Sequence, residues 1–164
     1  MKKIILSFVA IFFSVVFVSG QQIQISSATD FAKIGVDANY PLNGNYIQTA
    51  DFNLGNITDV VVGKLNGETW EYESFTGTYD GGGFTITYSA VFPIDSYAEY
   101  GLFSINQGTI KNLKLVANVS LSGQALDLGL LCGLNEGVIS NCEIVSGSIV
   151  VPQSGGAKYT GLLV

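Results

Sequence analysis

The sequence predicts an all-β chain wound as a parallel β-helix, with one short helix capping its N-terminal side. Three observations carry this. A Gly-Leu-apolar segment recurs at Gly101, Gly129 and Gly161, spacings of 28 and 32 residues, and self-similarity at such periods marks solenoids and arrays. The 20 glycines punctuate short alternating runs of the kind that form half-buried strands. Only one segment carries helix start and stop signals.

Residues 1–20 read as a cleaved signal peptide. Lys2 and Lys3 precede an almost unbroken apolar run from Ile4 to Val18, and Val18-Ser19-Gly20 offers small residues for cleavage. The run is short for a helix crossing a bilayer core of about 30 Å, and nothing later is long and apolar enough to span. Secretion or cell-surface display is therefore expected, with no membrane span once the leader is removed. The seven cations are all Lys, and two lie in the leader, so the mature balance is 5 − 13 = −8. Without Arg, His or clustered cations, nucleic acid and anionic lipid are excluded as partners.

The mature chain divides into residues 21–100, an N-terminal cap with leader strands, and residues 101–164, the repeats. Ser26 and Ser27 are N-cap residues for a helix of about two turns. In it Phe31 and Ile34 share a face, and Gly35 ends it. Tyr46–Leu54, Asp59–Gly63, Phe75–Tyr79 and Phe84–Tyr88 are expected strands, the last with Phe84, Ile86 and Tyr88 on one face. Asp80-Gly81-Gly82-Gly83 between the last two is a tight turn, since Gly tolerates positive φ.

Each repeat then has a physical logic. Gly101-Leu102-Phe103 and Gly129-Leu130-Leu131 open a short strand. Asn106-Gln107-Gly108 and Asn135-Glu136-Gly137 form a corner where Asn and Gly are expected to take left-handed angles. Ile110 and Ile139 point inward, Asn112 and Asn141 take the next corner, and Leu113-Lys114-Leu115 and Cys142-Glu143-Ile144 alternate apolar-in, charge-out. Stacked coils place each apolar residue over its equivalent, with backbone hydrogen bonds running between coils. Cys132 and Cys142 fit inward-pointing sites, and two buried free thiols are favoured over a disulfide.

These residues resemble the GLUG-type repeat of bacterial surface proteins, named for a Gly-Leu-any-Gly core. The best unit is Gly129-Leu130-Leu131-Cys132-Gly133 with Asn135, Gly137, Ile139, Asn141 and Cys142. The unit at Gly101 lacks a Gly after Ser104, and that at Gly161 is only four residues long. Tyr40–Tyr46, Ala50–Leu54 and Phe75–Ile86 resemble the leader found before such repeats. The resemblance implies a right-handed parallel β-helix on an exported, adhesin-like protein, and no catalytic residue. Family members are commonly longer, so a chain stopping at Val164 inside an apolar strand is expected to be a fragment or to cover that edge by self-association.

Chemistry is sparse. No Arg or His is present to abstract a proton, and Asp95, Glu99, Asp127, Glu136 and Glu143 read as scattered, without one shared position in the coil. The one acid-aromatic grouping is Glu68, Trp70, Glu71, Tyr72 and Glu73, which as a ligand site would be a sugar platform beside carboxylates. Its bland reading is a solvated loop, because Glu71 and Glu73 alternate with Tyr72. Asp80 is one carboxylate where calcium needs six to eight oxygens, and no Lys-Ser/Thr follows Gly83 as a nucleotide loop requires. No metal and no cofactor are expected. The tyrosines read as interior aromatic ladders rather than a binding face. Asn56-Ile57-Thr58 and Asn118-Val119-Ser120 match the glycosylation acceptor pattern, which bears only on a eukaryotic source.

The expected function is a non-enzymatic surface or secreted solenoid that meets a host surface, matrix or glycan. A carbohydrate-active enzyme or carbohydrate-binding module and a structural spacer are the alternatives.

Overall fold

A computed structural model of the chain describes residues 21–63, 73–93, 99–122, 124–151 and 156–163. The leader lies outside them. So do Leu65, Trp70 and their neighbours between Gly63 and Glu73.

The chain begins with β1 (Ile23–Ile25) and α1 (Ala28–Phe31), then runs through β2 (Asn45–Gln48), β3 (Phe52–Ile57) and β4 (Ser74–Phe75). The next coil is β5 (Thr78–Asp80), β6 (Thr85–Phe92), β7 (Glu99–Tyr100) and β8 (Phe103–Asn106). A third follows as β9 (Thr109–Lys111), β10 (Lys114–Leu121), β11 (Gln124–Gly129) and β12 (Cys132–Asn135). The last described coil holds β13 (Val138–Ser140), β14 (Glu143–Val150) and β15 (Gly156–Gly161). Successive coils pair in parallel, giving sheet A (β1-β2-β5-β9-β13), sheet B (β3-β6-β10-β14), sheet C (β7-β11-β15) and sheet D (β4-β8-β12). The result is a parallel β-solenoid of about three turns. The repeat register holds, with Gly129 directly beside Gly161 in sheet C.

Alternation builds the interior. In β6, Ile86, Tyr88, Ala90 and Phe92 point in, and in β10 Leu115, Ala117, Val119 and Leu121 lie over them. Tyr46, Tyr79, Ile110 and Ile139 form one column across sheet A. The tyrosines are therefore interior: Tyr46, Tyr79, Tyr88 and Tyr100 are buried, and Phe92 stacks on Tyr100 with ring centroids 4.6 Å apart. Their hydroxyls find partners inside. Tyr79 donates to Gln48 Oε1 at 2.9 Å, Tyr46 to Pro41 O at 2.6 Å, and Tyr88 to Leu130 O.

The capping helix is one turn rather than two. Ser27 Oγ accepts from Asp30 N at 3.2 Å, as an N-cap should. After Phe31 the chain tightens into turns, and Gly35 at φ +78° donates its N–H to Tyr40 O, which stops the helix. Phe31 enters the core edge-on to Tyr79 and Phe103, at 5.5 and 5.8 Å. Burying it contributes about 1.5–3 kcal/mol and closes that end of the interior.

Three expected strands differ. Tyr46–Leu54 is two strands, because Thr49–Asp51 turns the corner between sheets A and B and Asp51 Oδ1 accepts Thr85 N at 2.7 Å. Phe75–Tyr79 is likewise split, around Thr76-Gly77. Asp59–Gly63 makes only one bridge, Val62 to Phe103, with Gly63 at φ +80° ending it.

The corners also divide the work differently from expectation. Among the described residues, the non-glycine positive φ values are Asn112 (54°) and Asn141 (52°), at the corner between sheets A and B, where Gly82 (59°) and Gly83 (79°) serve the coil before. The Asn-x-Gly corner between sheets D and A needs no left-handed residue. Its glycines are required by proximity: a Cβ on Gly77 would lie 2.1 Å from Gly44 O, on Gly108 2.1 Å from Gly77 O, and on Gly137 2.3 Å from Gly108 O. Asn106 is buried there and caps the turn, its Oδ1 accepting from Gly108 N and its Nδ2 donating to Asn135 Oδ1 at 2.6 Å.

Candidate binding surface

Of the acid-aromatic grouping, Glu68, Trp70, Glu71 and Tyr72 lie outside the described residues. Glu73 is exposed just before β4, and its carbonyl sits against Gly63, so the two flanks of that segment adjoin.

The acids of the repeat half are less scattered than their spacing suggests. Glu99 and Asp127 stand side by side in sheet C, in register on adjacent coils, which places their Cα atoms about 4.8 Å apart. Asp127 is nearly buried, and both residues have partners. Glu136 accepts from Gln107 at 2.9 Å, and Glu143 lies beside Lys114 in sheet B.

Asp80 belongs to a turn. Its Oδ1 accepts from Gly82 N at 3.0 Å and Asn112 Nδ2 at 2.9 Å, and Lys111 Nζ stands 3.3 Å from Oδ2. Burial pushes its pKa up, but these hydrogen bonds outweigh it and hold the carboxyl below its ordinary value. Asn141 continues the column by donating to Asn112 Oδ1 at 2.7 Å. Among the described residues no group of His, Cys, Asp and Glu is placed to hold a metal ion, and no helix is long and apolar enough to cross a membrane.

Both cysteines are free thiols, Cys132 buried and Cys142 half-buried. Burial raises both pKa values, and for Cys132 the neighbouring Cys142 adds to the rise. Neither is a prepared nucleophile. A groove of about 600 Å³ runs between α1 and β3, lined by Thr29, Lys33, Leu54, Ile57 and Val60 among others. Its cation is engaged: Lys33 pairs with Asp30 at 3.0 Å and lies over the Tyr40 ring at 5.1 Å.

The arrangement that no single residue announces is the outer face of sheet B. Asn56, Ser89, Asn118 and Ser148 form one column across its strands. Asn53, Thr87, Val116 and Ser146 form the next. Ser148 Oγ donates to Asn118 Oδ1 at 2.9 Å, so part of the column is already ordered. Charge is confined to one border, where Lys114 and Glu143 are neighbours. On a chain this acidic, a neutral sheet face rich in hydroxyls and amides selects against ionic ligands. Both acceptor-pattern asparagines, Asn56 and Asn118, lie on it and are exposed.

No family model matches the chain, and neither does any curated protein or solved structure. The reading of function therefore stands on the residues and their placement.

Proposed function

We propose that the chain is an exported, non-enzymatic β-solenoid that binds a neutral glycan on a host or matrix surface through the outer face of sheet B. The columns Asn56–Ser89–Asn118–Ser148 and Asn53–Thr87–Val116–Ser146 carry this reading. Donors and acceptors repeat about every 4.8 Å across the strands, which suits a linear polymer of hydroxyl-bearing units lying along the solenoid. Each contact is shallow, so affinity comes from several adjacent sites acting together. The apolar leader supports export, and the Gly101, Gly129 and Gly161 segments support kinship with GLUG-type surface proteins.

A glycan array probed with the purified chain tests it. Binding to neutral glycans, lost in Ser89→Glu and Asn118→Glu, is the expected result. Absence of any binding favours a spacer, and loss on Trp70→Ala alone moves the site to the segment before Glu73.

One observation favours a second reading, a carbohydrate-active enzyme. Glu99 and Asp127 are adjacent carboxylates, and retaining glycosidases work with carboxyl groups about 5–5.5 Å apart. Reducing-sugar release from a polysaccharide, abolished by Glu99→Gln and Asp127→Asn, would establish that reading over the first.

A further inference from the structure

The two ends of the described solenoid differ. At one, α1 and Phe31 close the interior. At the other, Ile139, Ile144 and Ile149 point inward yet stay half-buried. The large apolar side chains left exposed gather there too: Val138, Val145, Val150, Val151 and Leu162 are each 43–59% exposed, and only Val36 and Val91 join them from elsewhere among the described residues. β14 lies at the border of sheet B, with β10 as its neighbour on one side and none on the other among the described residues.

Edge strands are normally blunted by charge, Pro or strong twist. From Ile144 to Val150, β14 contains no charged residue and no Pro. Its centre, Val145-Ser146-Gly147-Ser148-Ile149, also reads nearly the same in both directions. A strand of that kind is complementary to itself when turned antiparallel.

We propose that two copies of this chain join end to end through β14, paired antiparallel about a two-fold axis at Gly147. In this register Ser146 faces the partner's Ser148, and Val145 faces the partner's Ile149. Pairing is face-consistent: Ser146 and Ser148 continue the outward positions of Val116 and Asn118, whereas Gly147 and Ile149 continue the inward positions of Ala117 and Val119. Sheet B becomes continuous across the junction, and the half-buried isoleucines gain a second layer. Because the same edge serves both copies and α1 closes the far ends, assembly stops at two. The dimer does not require a glycan, although it would double the length of the polar face.

Sedimentation velocity and light scattering of the purified full chain should give twice the chain mass, falling to one on dilution. Ser146→Lys with Ser148→Lys, and separately Ser146→Glu with Ser148→Glu, put like charges opposite one another across the axis. Each double variant should be a folded monomer by circular dichroism, and mixing the two should restore the dimer, which general destabilisation would not do. Amide exchange at Val145–Ile149 in the unaltered chain should slow with rising concentration. A wild-type monomer, an open-ended polymer, charged variants that stay dimeric, a mixture that stays monomeric, or exchange independent of concentration would each overturn the proposal.

Discussion

The carbonyl oxygen of Gly77 occupies the space beside Gly108 so closely that a Cβ there would lie 2.1 Å from it. Real Cβ atoms do not approach backbone oxygen at that distance, so Gly108→Ala must spread two coils apart. Overpacking of this kind costs about 1–3 kcal/mol, and the obstacle is backbone, which cannot swing aside. Gly55 is the contrast. Its surroundings are open but φ is +72°, so Gly55→Ala should cost only the left-handed penalty, about 1–2 kcal/mol, and Gly55→Asn less. Urea midpoints of the three variants would rank them.

Asn112 combines both demands in one residue. It holds φ at 54°, donates to Asp80 and accepts from Asn141. Asn112→Ala loses the column and strains the backbone, whereas Asn112→Gly loses only the column. The glycine variant should therefore melt at a higher temperature than the alanine variant, an inversion of the usual order of Ala and Gly.

Acid should weaken the fold through two depressed carboxyls. The hydrogen bond from Lys33 is the main cause that lowers Asp30 to about 2, against an opposing push from burial. Asp80 is lowered as well. A carboxyl depressed in the folded state adds stability above its unfolded pKa, about 3.9. That stability is lost as pH falls through the folded value. Melting temperature should decline from about pH 4 towards about 2, and Asp80→Asn should flatten part of that decline.

Thiol chemistry should follow burial. Cys132 should resist a water-soluble thiol reagent in the folded chain, Cys142 should react slowly, and both should react at once in denaturant. A native chain that consumes reagent at both sites immediately would contradict the packing of Cys132 beneath β8.

At high pH the interior phenols set the limit. Burial raises the pKa of Tyr46, Tyr79 and Tyr88. The protonated form is thus favoured by folding, and the stability it adds is lost as pH rises above the ordinary tyrosine value of about 10. Phenolate absorbance should appear together with loss of the β-sheet signal, not ahead of it.

Much of this architecture could be read from residues alone. The alternation in Thr85–Phe92 placed Ile86 and Tyr88 inside, and Gly129 and Gly161 proved to be direct neighbours. Coil length hid the rest. In sheet A, Tyr46 to Tyr79, Tyr79 to Ile110 and Ile110 to Ile139 span 33, 31 and 29 residues, so no fixed period aligns them. Glu99 and Asp127 seemed unrelated for that reason. The short corners at Thr49–Asp51 and Thr76-Gly77 carry few turn residues, and strands continue in pattern across them. The polar columns of sheet B were least legible, since Asn56, Ser89, Asn118 and Ser148 share no motif and meet only through register.

The closure of one end by Phe31 gives the molecule a direction of failure. A solenoid loses structure coil by coil, each held only by its neighbours. Here the aromatic cluster of Phe31, Phe75, Tyr79 and Phe103 anchors the first coils, while Ile144 and Ile149 anchor the last one far less. Under heat, denaturant or pulling, the monomer should unzip from β14 and β15 towards α1, and refolding should nucleate at the aromatic end and propagate away from it.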